Sequence, residues 1–482
     1  MKSATFSSLV FVSAAVLLTS VASARAVPSD ADRVRIQPYA ANPAYWQYRG
    51  EPVMLIGGTD QDNLFNHPDS LVPAGLGSHL DLLVASGGNY VRNTMSSRDE
   101  GNLWPFAHDK ETGLYDLNRF DEEYWQRFGD FLRLAHERNI IVQIEFFDPF
   151  DYYGGNWLRN PYRPDNNINY TAEESGLASE YPDHPSSNNN LFFHSSPELE
   201  DLPLVLAAQE AFVARALSLS LPYGNVLYCI SNETSGEEEW SRHWARFIRQ
   251  KADEAGVSVH VTEMWGHHNL NHHLHRRTFD YPDLYSFVDI SQNNHKTGQT
   301  HWDHMVLARE RLVSDPVRPV NNVKIYGGVV DGERVVEGTR RFWRNVFAGC
   351  ASSRFHRPGS GRNFRHGIGL GEVGQTNLRS MRRFLDHFDI FASEPANSLL
   401  SEREPDEAYC AVVPGRQFAL YFPDGGDVRL DLAGVDGLWT LRWLDVEGEQ
   451  WIDGGTLRAG GTVHVAAPET GQWTALIEPS GG

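Results

Sequence analysis

The sequence predicts an α/β protein, a (β/α)8 TIM barrel followed by a small antiparallel β-sandwich. Three observations predict it. Eight short apolar, β-branched runs end in polar residues and alternate with stretches of helical period, the pattern of buried barrel strands that open on a functional rim. The plainest run starts at Asn225 and stops at Asn232-Glu233, followed at once by Thr234-Ser235-Gly236, so that a carboxyl group arrives at the lip of a buried strand. After about Ser393 the texture changes to short alternating runs (409–413, 417–422, 439–443 and 473–477) separated by Gly and Pro turns, as in a sandwich.

The elements follow in order. Residues 27–50 read as an arm or short β element. Strand 1 is 52–58, emptying into Thr59-Asp60-Gln61-Asp62-Asn63, and a helix at 76–86 ends at Gly87-Gly88. Strand 2 is 89–91, with Arg92-Asn93 at its lip. A helix over 120–139 has apolar residues at helical spacing and acids in its first turn, and leads to strand 3 at 140–148. The stretch 149–198 has no period and is rich in Tyr, Asn, Pro and Ser; Tyr152, Tyr153, Trp157, Tyr162 and Tyr170 suit an ordered lid, or serve to pack the loop down. Helix 199–219, strand 4 at 225–233, helix 237–255 and strand 5 at 257–265 come next. Strand 6 (285–294), helix 302–313, strand 7 (318–327), helix 339–347, strand 8 (348–355) and helix 375–388 complete a barrel domain over 27–392, with the sandwich at 393–482.

Composition narrows the function. Hydrophobic residues make up 41% of the 482 and aromatics 12%, which is globular. Lys2, an apolar core at 9–21 and Ala24-Arg25-Ala26 read as a signal peptide spanning 1–26, predicting a secreted or periplasmic protein. That apolar run is shorter than the roughly 20 residues a membrane span needs. A formal charge of −21 argues against nucleic acid or anionic membrane as a partner. Cys229, Cys350 and Cys410 are too few for a disulfide framework and read as reduced core thiols. No cofactor is expected, because Gly57-Gly58 and Gly327-Gly328 are turns without P-loop spacing. The run His267, His268, His272, His273, His275 lacks a metal-ligand spacing, so no metal is expected either. Nothing in the sequence fixes an oligomeric state.

With Asn232-Glu233, strand 8 and the terminal sandwich in place, the chain resembles clan A glycoside hydrolases. It looks most like the apiosidase-like (β/α)8 family of secreted bacterial proteins, whose C-terminal β domain carries a collagen-binding label. The resemblance implies that Glu233 is the general acid/base and that Arg92, at the end of strand 2, supports the nucleophile. It also marks a departure. Such proteins place a nucleophilic Glu at the end of strand 7, a few residues after a Lys-Pro or Arg-Pro start. Arg318-Pro319 supplies the start, but no acid follows before Asp331, and Lys324 stands where the Glu would be.

Cleaving a glycosidic bond takes one carboxylic acid to protonate the leaving oxygen and one carboxylate to attack or to activate water. Glu233 is the first. For the second, Glu263 leads, because strand 5 neighbours strand 4 and Thr262-Glu263-Met264-Trp265 reads as a lip with an aromatic sugar platform. Asp289, Asp60 and Asp62 follow, then Glu145 and Asp148. Asn232, Trp265, Gln292, Asn293, Asn294, Asn322, Tyr326 and His356 are expected at the rim, where aromatic faces beside amide and imidazole donors suit a sugar ring. Lys296, Lys324, Arg354 and Arg357 gather at the ends of strands 6 to 8, either to bind a uronate or sulfate or to neutralise Glu233, Glu263 and Asp289.

The expectation is therefore an exported glycoside hydrolase that cleaves a polysaccharide or oligosaccharide, neutral or bearing uronate or sulfate groups, by a two-carboxylate mechanism. Two alternatives stand beside it. One is a polysaccharide lyase-like enzyme in which Lys324 or Tyr326 takes a proton from a uronate. The other is a carbohydrate-binding barrel without catalysis.

Overall fold

The structure, a computed structural model, describes residues 34–66, 75–312, 316–327, 332–358 and 367–480, without the side chains of 332–334. The expected signal peptide lies outside the described residues.

The barrel strands appear in the expected order: β1 (Leu55–Gly58), β2 (Tyr90–Thr94), β3 (Ile141–Phe147), β4 (Val226–Ser231), β5 (Val261–Thr262), β6 (Val288–Asp289), β7 (Val320–Asn321) and β8 (Ser352–Phe355). β2, β3, β4 and β5 form one parallel sheet, β6 pairs with β7, and β8 pairs with β1. Backbone bonds link the pieces: Asn89 N–H to Ile56 O at 2.9 Å, Ser286 N–H to Val261 O at 3.0 Å and Ala351 N–H to Val320 O at 2.7 Å. Strands β5, β6 and β7 are much shorter than the apolar runs suggest. Around them side chains replace the ladder: Ser286 Oγ accepts from Val261 N–H, Ser291 Oγ from Val323 N–H and Ser352 Oγ from Asn322 N–H.

The helices are α1 (Gly75–Ala85), α2 (Glu122–Glu137), α3 (Pro203–Ser220), α4 (Glu238–Glu254), α5 (His273–Phe279), α6 (Gly298–Leu312), α7 (Gly332–Phe347) and α8 (Glu372–Leu385). Sequence and structure agree closely at α2. Asp121 caps it by accepting from Tyr124 N–H, and Tyr124, Phe128, Phe131, Leu132 and Ala135 form its buried stripe. Helix α5 is a correction: it falls in the histidine-rich stretch, whose polar residues show no apolar period.

The arm is a three-stranded antiparallel sheet of Gln37–Pro38, Trp46–Tyr48 and Glu51–Val53. It closes the lower end of the barrel, because Trp46 packs edge-on against His260 and Phe287 and donates through Nε1 to Asn321 Oδ1 at 2.9 Å. From there a buried polar chain rises through the interior. Asn321 Nδ2 donates to Tyr90 OH, Tyr90 OH to Gln143 Oε1, and Gln143 Nε2 to Asp289 Oδ2.

The C-terminal strands are β9 (Tyr409–Val413), β10 (Gln417–Phe422), β11 (Asp427–Asp431), β12 (Leu438–Asp445), β13 (Gln450–Arg458), β14 (Thr462–Ala466) and β15 (Trp473–Pro479). They form a six-stranded antiparallel sheet, led by Glu394–Pro395 and then β9, β10, β15, β12 and β13, and a three-stranded one of Leu400–Ser401, β11 and β14. The two-residue period of a strand explains how they pack. Tyr409, Ala411, Ala419, Tyr421, Leu444 and Leu476 join the barrel core, whereas the alternate residues Cys410, Val412, Leu420, Phe422, Trp443 and Ile477 build a second core with the smaller sheet.

Residues 149–198 form a string of short turns. Tyr152, Tyr153, Trp157, Tyr162 and Tyr170 are all buried, so these aromatics pack the loop down. Cys229, Cys350 and Cys410 are buried free thiols. No helix among the described residues is long and apolar enough to cross a membrane.

Candidate functional site

Strand β4 ends at Ser231, and the next two residues turn outward. Asn232 N–H bonds Phe147 O, and Glu233 takes a left-handed backbone conformation with φ 54°, uncommon for a residue with a Cβ. The turn is held from the next strand, by Thr234 N–H on Met264 O at 2.9 Å and Gly266 N–H on Thr234 O at 2.8 Å. A Cβ at Gly266 would lie 2.9 Å from Glu233 O, so only glycine lets the two backbones approach this closely.

The Glu233 carboxylate is received by the chain leaving β7. Lys324 Nζ contacts Glu233 Oε1 directly and donates to Asn232 Oδ1 at 3.0 Å, and Tyr326 OH donates to the same Glu233 oxygen at 2.9 Å. The Lys324 side chain is 4% exposed and that of Glu233 18%, so the carboxylate is the open member of the pair. Burial and the neighbouring Arg92 push the Lys324 ammonium down to about 7, against the pull of Glu145, Asp62 and Asp148. Behind Lys324, Asn294 Nδ2 donates to Asn322 Oδ1, Ser291 O and Lys324 O, so Asn294 brackets this segment in place.

A second group surrounds Asp62, in the turn after β1. Arg92 donates to Asp62 at 2.7 Å and lies 2.6 Å from Glu145, whose other contact is Thr94 Oγ1. Arg357 reaches Asp62 at 2.7 Å and Asp99 at 3.8 Å. Arg98 ties Asp62 to the long loop, contacting Asp148 and lying 3.1 Å from Asp151. His356 Nδ1 is 3.7 Å from Asp62, and its ring meets that of Tyr326 edge-on at 5.3 Å. Burial, with Lys324, Arg92 and Arg354 close by, holds His356 well below its ordinary range against the pull of Asp62. Burial alone would raise Asp62; His356 and then the guanidinium groups of Arg92, Arg357 and Arg98 outweigh it and hold that carboxylate well below its usual value.

Three expected rim residues turn out elsewhere. Glu263 faces helix α4 and not the mouth: its carboxyl accepts from Ser231 N–H at 2.8 Å, Met264 N–H at 3.0 Å and Ser241 Oγ at 2.7 Å, and burial pushes it up to about 8. Trp265 is no open sugar platform. Its indole is 1% exposed, donates to Thr278 Oγ1 and is covered by the Arg277 guanidinium. Asn293 is occupied with His301 O and His304.

Asp289 lies lower in the barrel, buried on Gln143 and Ser291 and pushed up to about 6 by that burial. Asp60 accepts from Leu370 N–H at 2.7 Å and stays 26% exposed. Arg354 is buried on Val323 O and Thr59 Oγ1. The sequence reading passed over Arg98 and Asp151, which sit in loops without a motif; the excess of carboxylates at Asp62, Asp148 and Asp151 was the one signal that a further cation had to be near. It also passed over His295, whose ring meets Tyr326 at 5.2 Å. Among the described residues no group of three or more His, Cys, Asp or Glu could hold a metal ion.

The arrangement offers a part-open carboxylate flanked by an ammonium and a phenol, beside an ionised carboxylate fixed by arginines. No family model matches the chain, and no curated protein does. Solved structures do. A glycoside hydrolase family 5 protein from Bacteroides vulgatus ATCC 8482 is 15% identical over 93% of each chain, with a TM-score of 0.63. A structure described as a glycoside hydrolase aligns at 12% identity over 93% of this chain and 97% of its own, with a TM-score of 0.60. A further glycoside hydrolase structure from Bacteroides vulgatus ATCC 8482 gives 12% identity, 94% and 84% coverage and a TM-score of 0.58. At these identities the likeness establishes the shared α/β-barrel fold.

Proposed function

We propose that this chain is an exported glycoside hydrolase of the apiosidase-like kind, in which Glu233 exchanges a proton with the glycosidic oxygen. The observation that carries the reading is the placement of Glu233. It is a part-exposed carboxylate at the C-terminal end of β4, on a strained turn, held by Lys324 and Tyr326 where a barrel enzyme keeps its chemistry. The shared fold with glycoside hydrolases supports it by analogy. Asp62 is the foremost candidate for the second carboxylate, since it stays ionised at the mouth and Glu263 faces away. An anionic substituent on the saccharide would find Lys296 at the rim, whereas Arg357 and Lys324 already have protein carboxylates as partners.

The test is release of reducing sugar from a panel of neutral and anionic glycans by wild type and Glu233→Gln. Loss of about 100-fold or more in the variant is expected. Equal rates would remove Glu233 from the chemistry.

One observation favours a second reading. Lys324 and Tyr326 meet on one carboxylate oxygen, and a base and an acid on one side of a sugar suit syn elimination from a uronate. A 4,5-unsaturated product absorbing in the ultraviolet distinguishes this lyase reaction from hydrolysis.

A further inference from the structure

Only five lysines occur in the 482 residues: Lys2, Lys110, Lys251, Lys296 and Lys324. Of the four that are described, Lys110 is exposed and Lys251 and Lys296 are half-buried, while Lys324 alone is enclosed. A chain this sparing with lysine and rich in arginine has placed one amine inside its candidate site. Arginine would have served for a permanent ion pair, because a guanidinium keeps its charge on burial and an ammonium gives it up more readily.

The surroundings of that amine match what condensation with a carbonyl needs. Glu233 Oε1 is in direct contact with Nζ, so a proton has somewhere to go and a route by which to return. Tyr326 OH donates to the same oxygen at 2.9 Å and so holds the carboxylate beside the amine. Asn232 Oδ1, 3.0 Å from Nζ, fixes the direction of the amine. The carboxylate is the exposed member of the pair, so a small aldehyde entering from solvent meets Glu233 and Tyr326 first and the amine just behind them.

We propose that Lys324 captures the aldehyde of a small open-chain sugar as an iminium ion, with Glu233 carrying the proton. The ammonium gives one proton to the Glu233 carboxylate, and the freed nitrogen lone pair forms a bond to the carbonyl carbon. The carbonyl π pair moves to oxygen, and a proton passes from nitrogen to that oxygen, giving the carbinolamine. Glu233 then returns its proton to the hydroxyl, the C–O bond breaks, and water leaves as the nitrogen lone pair forms the C=N bond. One ammonium and one aldehyde have become one iminium and one water, and the positive charge still faces the Glu233 carboxylate. No oxidant or reductant takes part.

Burial, which pushes the ammonium down to about 7, gives Lys324 a larger share of neutral amine at neutral pH than an exposed lysine has at its ordinary value. The natural aldehyde rests on the glycosidase reading, since hydrolysis of a glycan would produce a reducing sugar in the same mouth. The reactivity of the amine does not rest on it.

The experiment incubates the full protein with D-glyceraldehyde and sodium cyanoborohydride at pH 7, and follows reductive labelling of each lysine by peptide mass spectrometry. Lys324 is expected to label at least about tenfold faster than Lys110 or Lys251. Its rate should level off above pH 7, while theirs continues to climb. The comparison is internal to one molecule and so requires no variant to fold. In Glu233→Gln the Lys324 rate should fall about tenfold or more, with the surface lysines unchanged. Labelling of Lys324 slower than that of the surface lysines would overturn the proposal, because a merely structural buried amine is protected. An unchanged rate in Glu233→Gln would overturn the proton transfer assigned to Glu233. Labelling without any glycan cleavage would leave the capture standing and remove only the glycosidase as its source of aldehyde.

Discussion

Replacing Glu263 by Gln gives a prediction whose size follows from its surroundings. The carboxyl is fully buried; one oxygen accepts from two backbone N–H groups and the other contacts the hydroxyls of Ser231 and Ser241. A glutamine fits the same space: its Oε1 keeps both N–H bonds, and its Nε2 donates to hydroxyls that can equally accept. What changes is the titration. Burial raises the folded pKa from 4.5 to about 8, so the folded state favours the protonated form. The associated stability is fully present below the unfolded pKa and is lost as pH rises from about 4.5 towards 8. At about 1.36 kcal/mol per unit, the wild type is penalised by about 1 kcal/mol at pH 5 and about 4 kcal/mol at pH 8. Glu263→Gln removes the penalty. Urea unfolding of both proteins at the two pH values should show the variant more stable, with a gap that widens by about 3 kcal/mol at pH 8. Groups common to both proteins cancel in the difference. A gap independent of pH would refute the buried neutral carboxyl, and loss of glycan cleavage in the variant would return Glu263 to the chemistry.

Two further predictions concern the frame of the site. Arg98→Met leaves Asp148 and Asp151 without their shared cation, which should cost about 3 kcal/mol or more and speed amide exchange across 149–198 before the barrel strands, as read by hydrogen-exchange mass spectrometry; uniform exchange would refute this anchoring role. In Gly266→Ala the new methyl meets Glu233 O at 2.9 Å and Glu233 C at 3.3 Å, both backbone atoms that cannot turn aside, so the Glu233 turn must shift. Glycan hydrolysis should fall about tenfold with a stability cost of about 1–2 kcal/mol, and full activity would show that the position of this turn does not matter.

Most of the fold was legible because barrel strands are buried on both faces and leave continuous apolar runs, as at 141–147 and 226–231. The lengths of β5 to β7 were not legible, since Ser286, Ser291 and Ser352 take over bonds that backbone groups would otherwise make, and a serine in a sequence does not announce its partner. That Glu233 would stand at the lip of strand 4 could be anticipated from the apolar run that ends at Asn232-Glu233. The direction of Glu263 could not, because a shift of one residue at an irregular strand end moves a side chain from the mouth to the helical layer. Lys324 was visible as a departure from a pattern, but its contact with Glu233 needed three dimensions. The burial of Trp265 was hidden too, as a tryptophan at a strand end suits a sugar platform and a packed wall equally well.

The six-stranded sheet, whose strands β9, β10 and most of β15 are buried on both faces, sets an order of events during synthesis. Trp343 and Phe347 on α7 and Phe384 on α8 are made before the strands that cover them; Tyr421 stacks at 5.7 Å on Trp343 and 5.8 Å from Phe347. Until β15 leaves the ribosome to take its place between β10 and β12, the cover that β9 and β10 begin stays incomplete, and part of that flank is apolar and open to the surrounding solution. At about 5–20 residues per second the interval from α8 to β15 lasts roughly 5 to 20 s. A ribosome that stalls within the last strands would release a chain whose barrel residues are all present and whose apolar flank is still partly bare.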